Sequence, residues 1–75
     1  MNSDYLALVK VEAYIRQNLK EPLKILDLAD IAGFNATKLK RDFKKLYGVT
    51  VFKYITAIRM DVAKSLISQN GATIA

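Results

Sequence analysis

The feature that most constrains this chain is its punctuation. Pro22, Gly33, Gly48 and the pair Asn70-Gly71 divide 75 residues into four segments. In each segment apolar residues recur at spacings of three and four, the signature of one helical face. No stretch shows the alternation of a half-buried strand, and there is no repeat or low-complexity tract. The expected fold is all-α, with four helices in one small domain.

The first helix is expected over about Tyr5 to Asn18, with Ser3 or Asp4 as its cap. Its stripe is Leu8, Val11, Ile15 and Leu19, with Tyr14 beside it. Leu19-Lys20-Glu21-Pro22 stops it, because the residue before a proline avoids helical angles. The second helix is short, Ile25 to Ala32, with Ile25, Leu28, Ala29 and Ala32 on one face. Asp27 lies in its first turn, where negative charge complements the helix dipole, and Gly33 closes it. The third runs from Ala36 to Tyr47, capped by Asn35 and ended by Gly48, with Leu39, Phe43 and Leu46 as its stripe.

The fourth begins after the capping Thr50 and reaches Gln69, a length of about 28 Å. Its stripe is Val51, Ile55, Ile58, Val62 and Leu66, flanked by Tyr54 and Ile67. Thr73-Ile74-Ala75 reads as a cap and the first residues of another helix. Residues 1–75 are therefore expected to be one truncated domain.

The second and third helices are joined by only Gly33-Phe34-Asn35. Two helices separated by a three- to four-residue turn containing Gly form a helix-turn-helix, here over 25–47. That arrangement seats its second helix in the major groove of DNA. Any tight helical corner has the same spacing, so the faces of the third helix must decide.

Taking Ala36 as 0° and advancing about 100° per residue puts Leu39, Phe43 and Leu46 at about 300°, 340° and 280°. The opposite direction, about 120°, holds Thr37, Arg41 and Lys44. Lys40 lies to one side of them; Lys45 and Lys38 lie to the other. Asp42 sits at the rim, placed to pair with a neighbouring lysine. The outward face is almost wholly basic, as base-edge and phosphate contacts require. A merely solvated lysine face would look the same.

Charge along the chain sharpens the point. Residues 35–64 hold eight Lys and Arg against Asp42 and Asp61, whereas residues 1–34 hold four basic residues against five acidic ones. The net +5 is thus concentrated around the third helix, an electrostatic footprint for an anionic partner.

Catalysis finds little to work with. The chain has no Cys and no His, which removes thiol nucleophiles, imidazole bases and the commonest zinc ligands. Asp27 and Asp30 can share a helix side but lack a third ligand. There is no Gly-rich phosphate loop. No catalytic residue, metal site or cofactor is expected. No signal segment or membrane span is visible, and a cytoplasmic protein without membrane contact is expected.

Phe34 is expected to plug the corner between the second and third helices, and Phe43 and Tyr54 to face the core; Tyr5, Tyr14, Tyr47 and Phe52 stay open between core and boundary. Arg59, beside Ile58, has two readings: a partly buried arginine held by a carboxylate or helix C-terminal carbonyls, or a phosphate contact.

These residues resemble the C-terminal DNA-binding domain of the AraC/XylS transcription regulators. The resemblance runs from about Val11 to Ala75. It rests on Tyr14-Ile15, Asn18-Leu19, Pro22-Leu23, Leu28-Ala29 and Ala32-Gly33-Phe34-Asn35. It continues through Leu39, Arg41, Phe43-Lys44, Tyr47-Gly48, Thr50, Tyr54, Arg59-Met60, Ala63, Leu66 and Ile74-Ala75. The run Lys38 to Phe52 also resembles the pyochelin-regulator-like branch.

The resemblance implies a homeodomain-like helix-turn-helix unit and a long linker helix, here 51–69, leading to a second unit of which 73–75 would be the stub. It implies a bacterial regulator that binds double-stranded DNA sequence-specifically, with RNA polymerase as a partner of the full-length protein. By carry-over, the base-contacting positions fall on Thr37, Lys40 and Arg41, and the backbone or flanking positions on Asn35, Ala36, Lys38, Lys44, Lys45 and Lys53. The chain departs from the family before the second helix. Lys24 replaces the usual Ser or Thr cap, and Leu26 replaces the frequent acidic residue, so fraying or an exposed apolar Leu26 is expected.

A reading from another class stays open. The chain could be a helical interaction module that docks its basic face on an acidic partner or self-associates through 51–69. Val62, Leu66, Ile67 and Ile74 would be left uncovered in a truncated domain, which favours a homodimer or helix exchange.

Overall fold

The computed structural model describes residues 3–69, with side chains described as far as residue 66. Four α-helices follow in order: α1 Ser3–Gln17, α2 Ile25–Ala32, α3 Ala36–Tyr47 and α4 Val51–Gln69. Among the described residues there is no strand. The expected stub at 73–75 and Ile74 lie outside the described residues, as does the side chain of Ile67.

One core joins all four helices. Leu8, Val11 and Ile15 of α1 meet Leu28 and Ala29 of α2, Leu39 and Phe43 of α3, and Val51, Ile55 and Ile58 of α4. Leu19, Leu23, Ile25, Phe34, Tyr47 and Tyr54 pack around them, half-buried. Each buried aliphatic side chain contributes about 1.5–3 kcal/mol by leaving water. The stability of so short a chain therefore rests on this single cluster.

The caps behave as their chemistry predicts. The Asn35 side chain accepts from the Lys38 N–H at 2.7 Å, and the Thr50 hydroxyl accepts from the Lys53 N–H at 3.2 Å. Gly33 has φ 74° and ψ 27°, the left-handed region that glycine enters without steric penalty. There its N–H bonds to the Asp30 carbonyl at 3.1 Å, while the Phe34 N–H bonds to that of Ala29 at 2.9 Å. This double closure ends α2 sharply and turns the chain into α3. Lys24 stands extended at the N-cap of α2 and makes no side-chain cap bond. Leu26 is 67% exposed, as its departure from the family pattern predicts.

Two expectations need correction. The first helix begins at Ser3, so Ser3 and Asp4 lie within it, and the Asp4 carboxylate accepts from Lys38 on α3 instead. Leu46 is exposed; the third inward residue of α3 is Tyr47. Tyr47 packs on Phe43 and Tyr54 with ring centroids 4.5 and 5.2 Å apart, and Phe43 meets Tyr54 edge-on at 5.3 Å. A cluster of mutually tilted aromatic rings at the α3–α4 junction thus takes the place of the aliphatic residue that periodicity favours. The stripe of α4 is buried in its first half, at Val51, Ile55 and Ile58, while Val62 and Leu66 are exposed, as expected for residues without cover.

Two polar links hold the helices in register. The Tyr54 hydroxyl of α4 donates to Glu12 of α1 at 2.5 Å, and Arg16 Nε donates to the same carboxylate oxygen. Burial alone would raise the Glu12 pKa, but the hydrogen bonds from Tyr54 and Arg16 and the nearby guanidinium charge hold it below its ordinary value. Arg59 of α4 donates through Nε to the Leu19 carbonyl at 3.1 Å and through Nη2 to that of Glu21 at 3.0 Å. Arg59 is exposed and not partly buried as expected, because its guanidinium reaches carbonyls at the surface that follow α1.

Candidate nucleic-acid interface

The α2–Gly33-Phe34-Asn35–α3 corner is a helix-turn-helix, and the core fixes how α3 faces outward. With Leu39, Phe43 and Tyr47 as the inward residues, the outward direction of α3 turns by about 40° from the value that Leu46 implies. Arg41 and Lys45 then stand nearest its centre, with Thr37 and Lys44 on one side. All four are exposed, as are Lys40 and, at the start of α4, Lys53.

The structure distinguishes among the candidate residues. Arg41 keeps a 64% exposed side chain while its Nε donates to Asp42 Oδ1 at 3.1 Å. Lys38 is folded back. Its Nζ lies 2.9 Å from Asp4 Oδ2, 3.0 Å from Asp42 Oδ2 and 4.7 Å from the centroid of the Phe34 ring. Hydrogen bonds to Asp4 and then Asp42 raise its pKa, so it stays protonated. Those to Lys38 and then Arg41 lower that of Asp42. Asn35 is exposed, but its side-chain oxygen caps the helix; Ala36 is half-buried. The exposed set is Thr37, Lys40, Arg41, Lys44, Lys45 and Lys53.

The pairing of Asp42 with Lys38 could be found in the sequence, since the two are four apart on a helix. The third member, Asp4, could not, because it comes from α1 across 34 positions of chain. The arrangement presents cations on an exposed helical surface held by a rigid corner, which suits phosphates and base edges. Among the described residues no group of acidic side chains is placed to hold a metal ion, and no helix is long and apolar enough to cross a membrane.

Comparison with known proteins decides what kind of corner this is. The profile of the bacterial regulatory helix-turn-helix proteins of the AraC family matches residues 15–56, more than half of the chain and the whole of α2 and α3. The chain belongs to the AraC family. Two relatives agree with this. The bifunctional transcriptional activator and DNA repair enzyme AdaA of Bacillus subtilis (strain 168) is 34% identical over 64 residues, covering 85% of this chain and 30% of its own. The probable transcriptional regulator LumQ of Photobacterium leiognathi is 30% identical over 64 residues, covering 85% of this chain and 26% of its own. The chain thus spans less than a third of the length of these relatives. No solved structure gives a significant match. The chain is thus an AraC-family helix-turn-helix unit of the kind found in bacterial regulatory proteins, and the interaction-module reading is not favoured.

Proposed function

We propose that residues 25–47 bind double-stranded DNA sequence-specifically, with α3 in the major groove. Thr37, Lys40 and Arg41 read base edges, while Lys44, Lys45 and Lys53 contact phosphates beside them. Asn35 and Ala36 bring the start of α3 to the DNA backbone, and Lys38 acts from within its ion pairs. The observation that carries this reading is the exposed basic face of α3, set outward by the inward packing of Leu39, Phe43 and Tyr47. Arg and Lys in the groove are suited to guanine O6 and N7.

On this reading the protein acts by binding and not by catalysis, and it works in the cytoplasm, where bacterial DNA lies. The unit 25–47 and the linker helix 51–69 form one part of a longer regulator whose second helix-turn-helix supplies further contacts. RNA polymerase is a partner of that regulator. Self-association through helix 51–69, on which Val62 is exposed, is a further partner choice, which sedimentation at rising concentration tests.

The test of DNA binding is a titration of labelled duplex at several salt concentrations. Each phosphate neutralised contributes about −0.9 to the slope of log K against log salt. Wild type should show a negative slope, and Lys40→Ala/Arg41→Ala should weaken binding. Absence of binding even at low salt would overturn the proposal.

A further inference from the structure

Asp42 is the one acidic residue of α3, and its carboxylate is divided between two cations. Oδ1 accepts from Arg41 Nε at 3.1 Å and Oδ2 from Lys38 Nζ at 3.0 Å. Lys38 Nζ reaches on to Asp4 of α1 at 2.9 Å and lies over the ring of Phe34 in the helix-turn-helix corner. The result is a line of alternating charge, Arg41–Asp42–Lys38–Asp4, that ties the outward face of α3 to α1. Exposure falls along its first step: the side chain of Arg41 is 64% exposed and that of Asp42 is 18%.

An acidic group on this helix works against affinity. It subtracts positive charge where phosphates approach, and so weakens binding to every DNA sequence alike. What it supplies is order. A guanidinium offers five N–H donors in a fixed fork. Engaging Nε leaves the Nη groups for a bidentate acceptor and restricts the rotation of a long side chain. We infer that Asp42 is a positioning residue for sequence readout. It holds the Arg41 guanidinium in one orientation, is itself braced through Lys38 to Asp4, and gives up general phosphate affinity for discrimination between sequences. This inference rests on the reading of Arg41 as a base contact.

The test measures two duplexes with the 75-residue chain. One is selected by wild type from a randomised library at low salt; the other is a scramble of the same composition. Asp42→Ala should bind the scrambled duplex more tightly than wild type does, and its preference for the selected duplex should fall by about tenfold. In an Arg41→Ala background, Asp42→Ala should leave the preference unchanged, because the oriented group is gone. Circular dichroism checks that each variant is folded; if Asp42→Ala is not, Asp42→Asn keeps the shape without the charge and carries the same expected signs.

A merely structural or electrostatic Asp42 would shift both duplexes by one factor, and that result overturns the inference. If Arg41→Ala collapses the preference while Asp42→Ala keeps it, the inference fails alone. If wild type selects no sequence, or Arg41→Ala keeps the preference, the reading of Arg41 fails and the inference falls with it.

Discussion

The hydroxyl of Tyr54 donates to the carboxylate of Glu12 across 2.5 Å, joining α4 to α1 over 42 positions of chain. The bond lies at the edge of the core, beside the Phe43–Tyr47–Tyr54 ring cluster, so it fixes where α4 leaves the domain.

Its pH signature has a definite sign. Despite the opposing effect of burial, hydrogen bonds from Tyr54 and Arg16 place the folded Glu12 pKa below its ordinary value of 4.5. The Glu12 contribution is therefore present above about pH 4.5 and is lost as pH falls through the lower folded value. Burial first, and the bond to Glu12 second, raise Tyr54 above 10.0. Its contribution is present below about pH 10 and is lost as pH rises through the folded value. Tyr54→Phe should cost on the order of 1 kcal/mol near neutrality, less toward either extreme. Urea midpoints across pH check this, and a gap independent of pH would refute it.

Tyr47→Ala should destabilise by about 2 kcal/mol or more, because it opens the ring cluster between α3 and α4. Leu46→Ala should cost less than about 1 kcal/mol, since Leu46 is already exposed. Equal losses by thermal melting would mean that the aromatic cluster does not carry the junction.

Arg59→Ala removes two hydrogen bonds to the carbonyls of Leu19 and Glu21. A loss of about 1 kcal/mol corresponds to a melting temperature lower by about 4–8 °C. Arg59→Lys should not restore it, because a single Nζ lacks the fork that spans both carbonyls. DNA affinity of the folded variant should keep its salt slope. A slope reduced by about one unit would instead make Arg59 a phosphate contact.

Lys24 already has the extended backbone of a cap residue, φ −108° and ψ 139°, without a capping side chain. Lys24→Thr should therefore stabilise α2 by about 1 kcal/mol. An unchanged or lower denaturation midpoint would show that the α2 N–H groups are already satisfied.

The limits of α2 and α3 and the start of α4 were readable because their causes are local. Asn35 and Thr50 cap what they precede, and Gly33 and Gly48 end what they follow. The basic set on α3 was readable because it needs only helical periodicity. What escaped depends on contacts between helices. Tyr47 replaces Leu46 at the junction because two rings from other turns are there to receive it. Lys38 turns inward because Asp4 arrives from the far end of the chain.

The corner at Gly33 is chosen by handedness and not by room. A Cβ built there would meet nothing within 4 Å, yet φ is 74°. An ordinary L-alanine would be penalised by about 1–2 kcal/mol in open space. Its mirror image would be at home. A chemically assembled chain with D-alanine at position 33 should keep the angle between α2 and α3. It should melt no lower than the natural chain, and higher by up to about 1 kcal/mol of stability, because its unfolded form has fewer conformations to explore. A lower melting point would show that the corner depends on something other than chirality. The core sets the face that α3 turns outward, and the corner that lets it do so needs one backbone carbon without an L side chain.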